Sequence, residues 1–122
     1  MSHILAAIGT GSQNTINIEA GCATPGIAAD ICANYTDGTY SDWFLPSKDE
    51  LNLMWTNLAD SDGDGVNIGI TDPNNLGGFA GTNYWSSAEV GSDGAWGQFF
   101  GLGFQVVFDK NDGFNVRAVR AF

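Results

Sequence analysis

The feature that most constrains this chain is a change of period partway along it. Up to about residue 60 apolar side chains recur at helical spacing, and beyond about residue 80 they fall into short segments cut by turns. "SDWFLPSKDELNLMWTNLAD" carries the firmest helix signal. Ser47 and Glu50 form a capping box after Pro46, and Leu51, Met54, Trp55 and Leu58 make an apolar stripe. "TPGIAADICANYTDG" predicts a second helix, with Pro25 in its first turn, Ile27, Ile31 and Tyr35 on one side and Gly38 as its stop. "GTGSQNTINIEAGC" predicts a weaker one, capped by Ser12 or Asn14 and carrying the branched Ile16 and Ile18. Regular structure then lapses through "DSDGDGVNIGITDPNNLGGFA". The segments "NYWSSAE", "AWGQFFG", "FQVVFDK" and "NVRAVRAF" follow, separated by "VGSDG", "LG" and "NDG", and predict an antiparallel meander. Helices first and strands after give an α+β fold, two to three helices packed on a C-terminal antiparallel sheet with long irregular loops. No linker or repeat divides residues 1–122, so a single domain is expected.

Charge narrows the function classes. Lys48, Lys110, Arg117 and Arg120 stand against 14 carboxylates, for a net charge of −10. Nucleic acid and anionic lipid both require a cationic face, so neither is an expected partner. No apolar run has the length of a membrane span, and membrane insertion is not expected. His3 is the single histidine and stands at the start of the chain, which removes a histidine base and a zinc cluster from consideration. Cys22 and Cys32 lack the spacing of a redox or metal motif. Two buried thiols or one short-loop disulfide remain, and a chain poor in charge and rich in Gly, Asn and Thr looks extracellular, which favours the disulfide.

The words "YSDWFLPSKDELNLMW", "YWSSAE", "AWGQFF" and the terminal "VRAVRAF" carry a resemblance. In that order they resemble the C-terminal domain of bacterial collagen-like adhesins, over about Ala7 to Phe122. The resemblance implies a C-type-lectin-like fold, a secreted or bacterial cell-surface location, and a binding module presented as a homotrimer on a collagen stalk. The family carries an earlier glycine-rich strand for which this chain has no room, so His3 to Ile8 is expected to substitute for it or the terminal strand pairing to differ. Some members attach to glycosaminoglycans, but four basic residues make sulfated polysaccharide a poor ligand here.

The sharpest local signal is "DSDGDGVNIGITD". Asp60, Asp62 and Asp64 alternate, Gly65 follows and Asp72 closes the run, a pattern able to wrap a calcium ion in oxygen ligands. Thr71 stands where such loops place a bidentate Glu, and a solvated acidic turn is the competing reading. Arg117 and Arg120 lie in an apolar segment and are expected to pair with carboxylates, with Asp42, Asp49, Glu50 and Glu89 as candidates.

The rings divide by alternation. Phe104, Val106 and Phe108 are expected to enter the core, with Trp55 and Trp85. Trp96 and Tyr84 are expected to line a ligand surface with Asn83, Glu89 and Gln98, where a ring beside amides and a carboxylate suits a sugar or peptide face. An enzyme is not expected, because no histidine or suitably placed lysine is available to activate a serine. Formylglycine-forming oxidases of the lectin-like fold use a cysteine pair near the C-terminal end, whereas both cysteines here fall in the N-terminal third. The expected function is an adhesion module recognising carbohydrate with calcium assistance. A protein- or peptide-recognition module and a structural trimerisation cap are the alternatives.

Overall fold

The computed structural model describes residues 7–21, 27–90, 93–110 and 112–120. Among these residues three short helices precede three strands: α1 (Gly11–Gly21), α2 (Ala28–Ala33), α3 (Lys48–Met54), β1 (Asn83–Val90), β2 (Gly94–Phe99) and β3 (Gln105–Asp109). The strands form one antiparallel sheet in the order β1-β2-β3. The α+β class and its segregated order are as the pattern predicts. The expectations resting on His3, Cys22 and Pro25 lie outside the described residues.

The capping box is present at α3. The Ser47 hydroxyl accepts from the Glu50 amide at 3.3 Å, and the Ser47 amide donates to Glu50 Oε1 at 2.8 Å. The same carboxylate also serves α1. Gly9 N donates to Glu50 Oε2 at 2.9 Å and Gly11 N to Oε1 at 3.1 Å. A helix start leaves backbone amides without intrahelical partners, and an anion there satisfies both the donors and the dipole. Ser12 and Asn14, expected as caps, lie inside α1 because Glu50 already does that work from α3. Asn14 is instead buried and donates to the Ser87 hydroxyl at 3.2 Å, tying α1 to β1. A Cβ at Gly11 would collide with Glu50 Oε1 and the Leu45 carbonyl, so only glycine permits this approach.

After Met54 the helix widens into a π-helical turn, Trp55–Ala59. One extra residue per turn rotates the stripe. Leu51 stays fully buried, Met54 and Trp55 pack against the core, and Leu58 is left 39% exposed. The main core joins Leu51, Ala59, Phe79, Tyr84 and Phe100. A second cluster, Ala29, Cys32 and Leu45, lies under α2 with Val116 and Ala118 against it. Trp85, expected in the interior, is buried on the opposite face of the sheet, against Phe114 and edge-on to Phe108.

The strand facing differs from the alternation expected at β3. Phe104 precedes the strand and is 50% exposed, and Val106 is 40% exposed. Phe108 is half-buried, edge-on to Phe114. The side of the sheet that meets α3 holds Gln98 and Gln105 instead. Gln105 Nε2 donates to the Lys48 carbonyl at 2.8 Å and to Gln98 Oε1 at 3.2 Å, and Gln98 Nε2 donates to Asn52 Oδ1 at 2.9 Å. β3 is an edge strand lying beside the start of α3, where polar groups need partners more than apolar groups need cover.

The C-terminal segment closes the structure. Asn115 bridges β1 in parallel at Tyr84, and Val119 pairs antiparallel with Phe44. Phe44 and Val119 exchange both backbone bonds, at 2.7 and 2.9 Å.

Two outcomes follow from this packing. Glu50→Ala removes bonds at two helix starts together and is expected to cost about 2–4 kcal/mol, read as a lower urea midpoint. Cys32 is a free, fully buried thiol rather than half of the short-loop disulfide favoured from the sequence, and burial pushes it up to about 12. Iodoacetamide in mildly alkaline buffer is therefore expected to leave Cys32 unmodified in the native protein and to modify it after unfolding, as peptide mapping would show.

Candidate functional site

The stretch from Asp60 to Ala80 has no helix or strand, yet its backbone is closely held. Its own short polar side chains supply the bonds that a ladder would otherwise give. Val66 N donates to Asp64 Oδ1 at 2.9 Å, and Gly69 N donates to Asn67 Oδ1 at 3.0 Å. Asn75 receives the Phe79 amide at 3.0 Å and donates to the Gly69 carbonyl at 2.9 Å. Across the loop, Asn74 Nδ2 donates to Asp62 Oδ2 at 3.1 Å, and the Ser61 hydroxyl donates to the Asn74 carbonyl at 2.6 Å. Gly63 and Gly65 take φ of 72° and 79°, the left-handed region in which a side chain would be strained.

These turns gather three carboxylates. Asp60, Asp62 and Asp64 each place an oxygen within 4.8 Å of the others. Asp60 ends the π-helical turn and is 4% exposed, whereas Asp62 and Asp64 face solvent. Asp60 Oδ2 accepts from Gly65 N at 2.9 Å, while its Oδ1 is buried with no hydrogen-bond partner. Burial raises the Asp60 carboxyl above its ordinary value, the Gly65 amide opposes that, and the Asp64 and Asp62 carboxylates add to the rise. The Val66 amide is the largest cause holding Asp64 below its ordinary value. Burying an unpartnered carboxylate oxygen beside two other acids is costly unless something positive completes the site. A hard cation fits this donor set. Oxygen ligands stand about 2.3–2.6 Å from calcium, so two on opposite sides of one ion are about 5 Å apart, the span this cluster allows.

Asp72, expected as the closing ligand, is not in the cluster. Its two oxygens accept from Ile68 N at 3.1 Å and Asn74 N at 2.9 Å, so it serves as a turn anchor. The displacement in sequence from the usual twelfth position corresponds to a different job in space.

The surface expected around Trp96 does not assemble from all five of its residues. Tyr84 is 5% exposed, with its ring 4.7 Å from Phe100 and its hydroxyl accepting from Ala80 N at 3.0 Å. Gln98 is fully buried. Both lie on the face of the sheet turned towards α3, and Trp96 shares that parity but reaches the margin of the helix. There it is half-buried, with the Lys48 ammonium 4.3 Å from its ring centroid. Glu89 forms an ion pair with Lys110. Asn83 begins β1, and its carbonyl accepts from Asn115 N at 3.1 Å.

The arginines divide in the same way. Arg120 forks Asp42 with bonds of 2.7 and 3.1 Å, as expected. Arg117 takes no carboxylate among the partners expected for it. It donates to the Gly77 carbonyl at 2.9 Å and the Gly78 carbonyl at 3.4 Å, and lies 4.2 Å over the Phe79 ring. It thus clamps the far end of the acidic loop against the core. A cluster missed at the level of sequence stands near Arg120, where Asp37, Tyr40 and Trp43 border a cavity. Its signal was the aromatic content of "YTDGTYSDW", masked by turn residues.

Compared with protein-family models, with curated proteins and with solved structures, the chain shows no match.

Removing the clamp tests the order of the loop. Arg117→Ala is expected to speed hydrogen exchange at the Phe79 and Gly77 amides several-fold, while amides in β1 and β2 keep their protection.

Proposed function

We propose that this protein is an extracellular binding module that recognises carbohydrate, with calcium held by Asp60, Asp62 and Asp64. The observation that carries the proposal is the buried, unpartnered Oδ1 of Asp60 facing two further carboxylates. A cation there gives the orphaned oxygen a partner, lowers the repulsion among the acids and fixes a loop that regular structure does not hold. The net charge of −10 makes a neutral glycan a better ligand than a sulfated one. The ordered resemblance of "DWFLPSKDEL", "YWSSAE" and "VRAVRAF" to collagen-like adhesin domains supports a C-type-lectin-like module at a cell surface.

One observation favours a second reading, protein recognition. Ile68, Ile70 and Leu76 are 69%, 76% and 69% exposed on the same loop. Isolated apolar tips are ordinary, but three on one loop suit a protein contact.

Calcium at about a hundred times its Kd is expected to stabilise the fold by ~2.7 kcal/mol, a rise of several degrees in Tm that chelator reverses. Asp62→Asn and Asp64→Asn should each abolish most of that rise. A Tm indifferent to both calcium and chelator overturns the metal site. Glycan-array binding that depends on calcium supports the carbohydrate reading, and an array silent with and without calcium removes it in favour of a protein ligand.

A further inference from the structure

The cavity beside Arg120 is separate from the acidic loop and from Trp96. It is an open groove of about 340 Å³ rather than an enclosed pocket, bordered by Asp37, Tyr40, Trp43, Ala118, Val119 and Arg120. That volume is at the lower end of the roughly 300–1,000 Å³ usual for small-molecule sites. Resting on the carbohydrate reading above, we infer that this cavity is the seat of a neutral saccharide unit, stacked on the half-buried Trp43 ring and on the part of the Tyr40 ring that Arg120 leaves uncovered, and held through its hydroxyls by Asp37.

The walls are rigid for reasons that the local chain supplies. Asp37 Oδ1 accepts from Thr39 N at 2.9 Å and Tyr40 N at 2.7 Å, and Gly38 takes φ of 90° to allow the turn. This turn lifts Tyr40, which remains 47% exposed. Trp43 Nε1 donates to the Tyr40 carbonyl at 3.0 Å, and Tyr35 packs edge-on to Trp43 at 5.1 Å. The floor is fixed by the Phe44–Val119 backbone pair. Ring surface that is held in place yet left wet is what a stacking ligand needs, because little ordering remains to be done when it binds.

Charge selects the class of ligand. The Arg120 guanidinium lies 3.6 Å over the Tyr40 ring and forks Asp42, so the cation seat on that ring is taken by the protein itself. A cationic ligand would have to displace it. An anionic ligand would meet Asp37 and Asp42 and the field of a chain carrying −10. A neutral ring with an apolar C–H face and hydroxyl edges avoids both penalties. The Tyr40 and Thr39 amides hold the Asp37 carboxyl below its ordinary value, so it is an ionised acceptor at neutral pH. Both backbone bonds fall on Oδ1, which leaves Oδ2 to accept hydroxyl protons.

The 4 tryptophans give a direct readout. The ¹⁵N–¹H indole resonances of the calcium-loaded protein would be followed while methyl glycosides of neutral hexoses and N-acetylhexosamines are added. The expected result is a saturable shift of the Trp43 indole, with Trp55 and Trp85 still. Tyr40→Leu and Asp37→Asn should each weaken binding about tenfold or more. The second keeps the oxygen that accepts the turn amides, so it tests recognition without breaking the fold. A shift at Trp96 with Trp43 silent overturns the cavity and leaves the carbohydrate reading standing. Affinity unchanged in both variants also overturns the cavity. No shift of any indole with any glycoside overturns both.

Discussion

The Glu50 carboxylate holds two helix starts at one point, and the rest of the structure is arranged around that junction. Its oxygens receive amides from Gly9, Gly11 and Ser47, so α1 and α3 begin against the same negative charge. Helices as short as these are marginal by themselves, and their order comes from such shared contacts rather than from propensity. Once α1 is seated, Thr15 can accept from Leu45 N at 2.9 Å and Asn14 can reach Ser87. Those buried polar contacts carry the placement of α1 across to the segment before α3 and to the first strand.

The sheet completes the positioning. Tyr84 and Phe100 fill the interior between α3 and the strands, and Phe79 joins them from the end of the acidic loop. Arg117, reaching back from the C-terminal segment, binds the carbonyls next to Phe79. The loop is therefore fixed at both ends, by the π-helical turn before Asp60 and by the Arg117–Phe79 contact after it. Between these anchors its own Asp and Asn side chains hold the backbone, and three carboxylates converge as a consequence. A segment of irregular chain thus holds a defined group of carboxylates without needing regular structure.

Much of this was legible in the residues. Ser47 and Glu50 announced the start of α3, the alternating acids announced a convergent loop, and Arg120 with Asp42 announced an ion pair. The misplacements share one physical cause. A ring or an amide beside polar neighbours reads as exposed, which predicts a wet surface for Tyr84 and Gln98, yet strand parity turns them towards α3. Phe104 and Val106 alternate with polar residues and so read as core, yet β3 is an edge whose helix side is occupied by glutamines. Alternation says which residues share a face and is silent about what lies opposite that face.

What the amino-acid order by itself determined is local and covalently near. It set where α3 begins, where turns must fall, the order of helices before strands, the sign of the charge, and the gathering of Asp60, Asp62 and Asp64 within a few residues of one another. Each depends on groups close along the chain, where spacing dictates reach. What only the tertiary structure decided is which distant groups meet. It gave Glu50 the amides of α1, gave Arg117 a pair of carbonyls in place of a carboxylate, buried one oxygen of Asp60 without a partner, and set Arg120 over Tyr40 beside a cavity. These outcomes turn on burial and on competition among partners far apart in sequence, and such energies exist only once the chain has closed on itself.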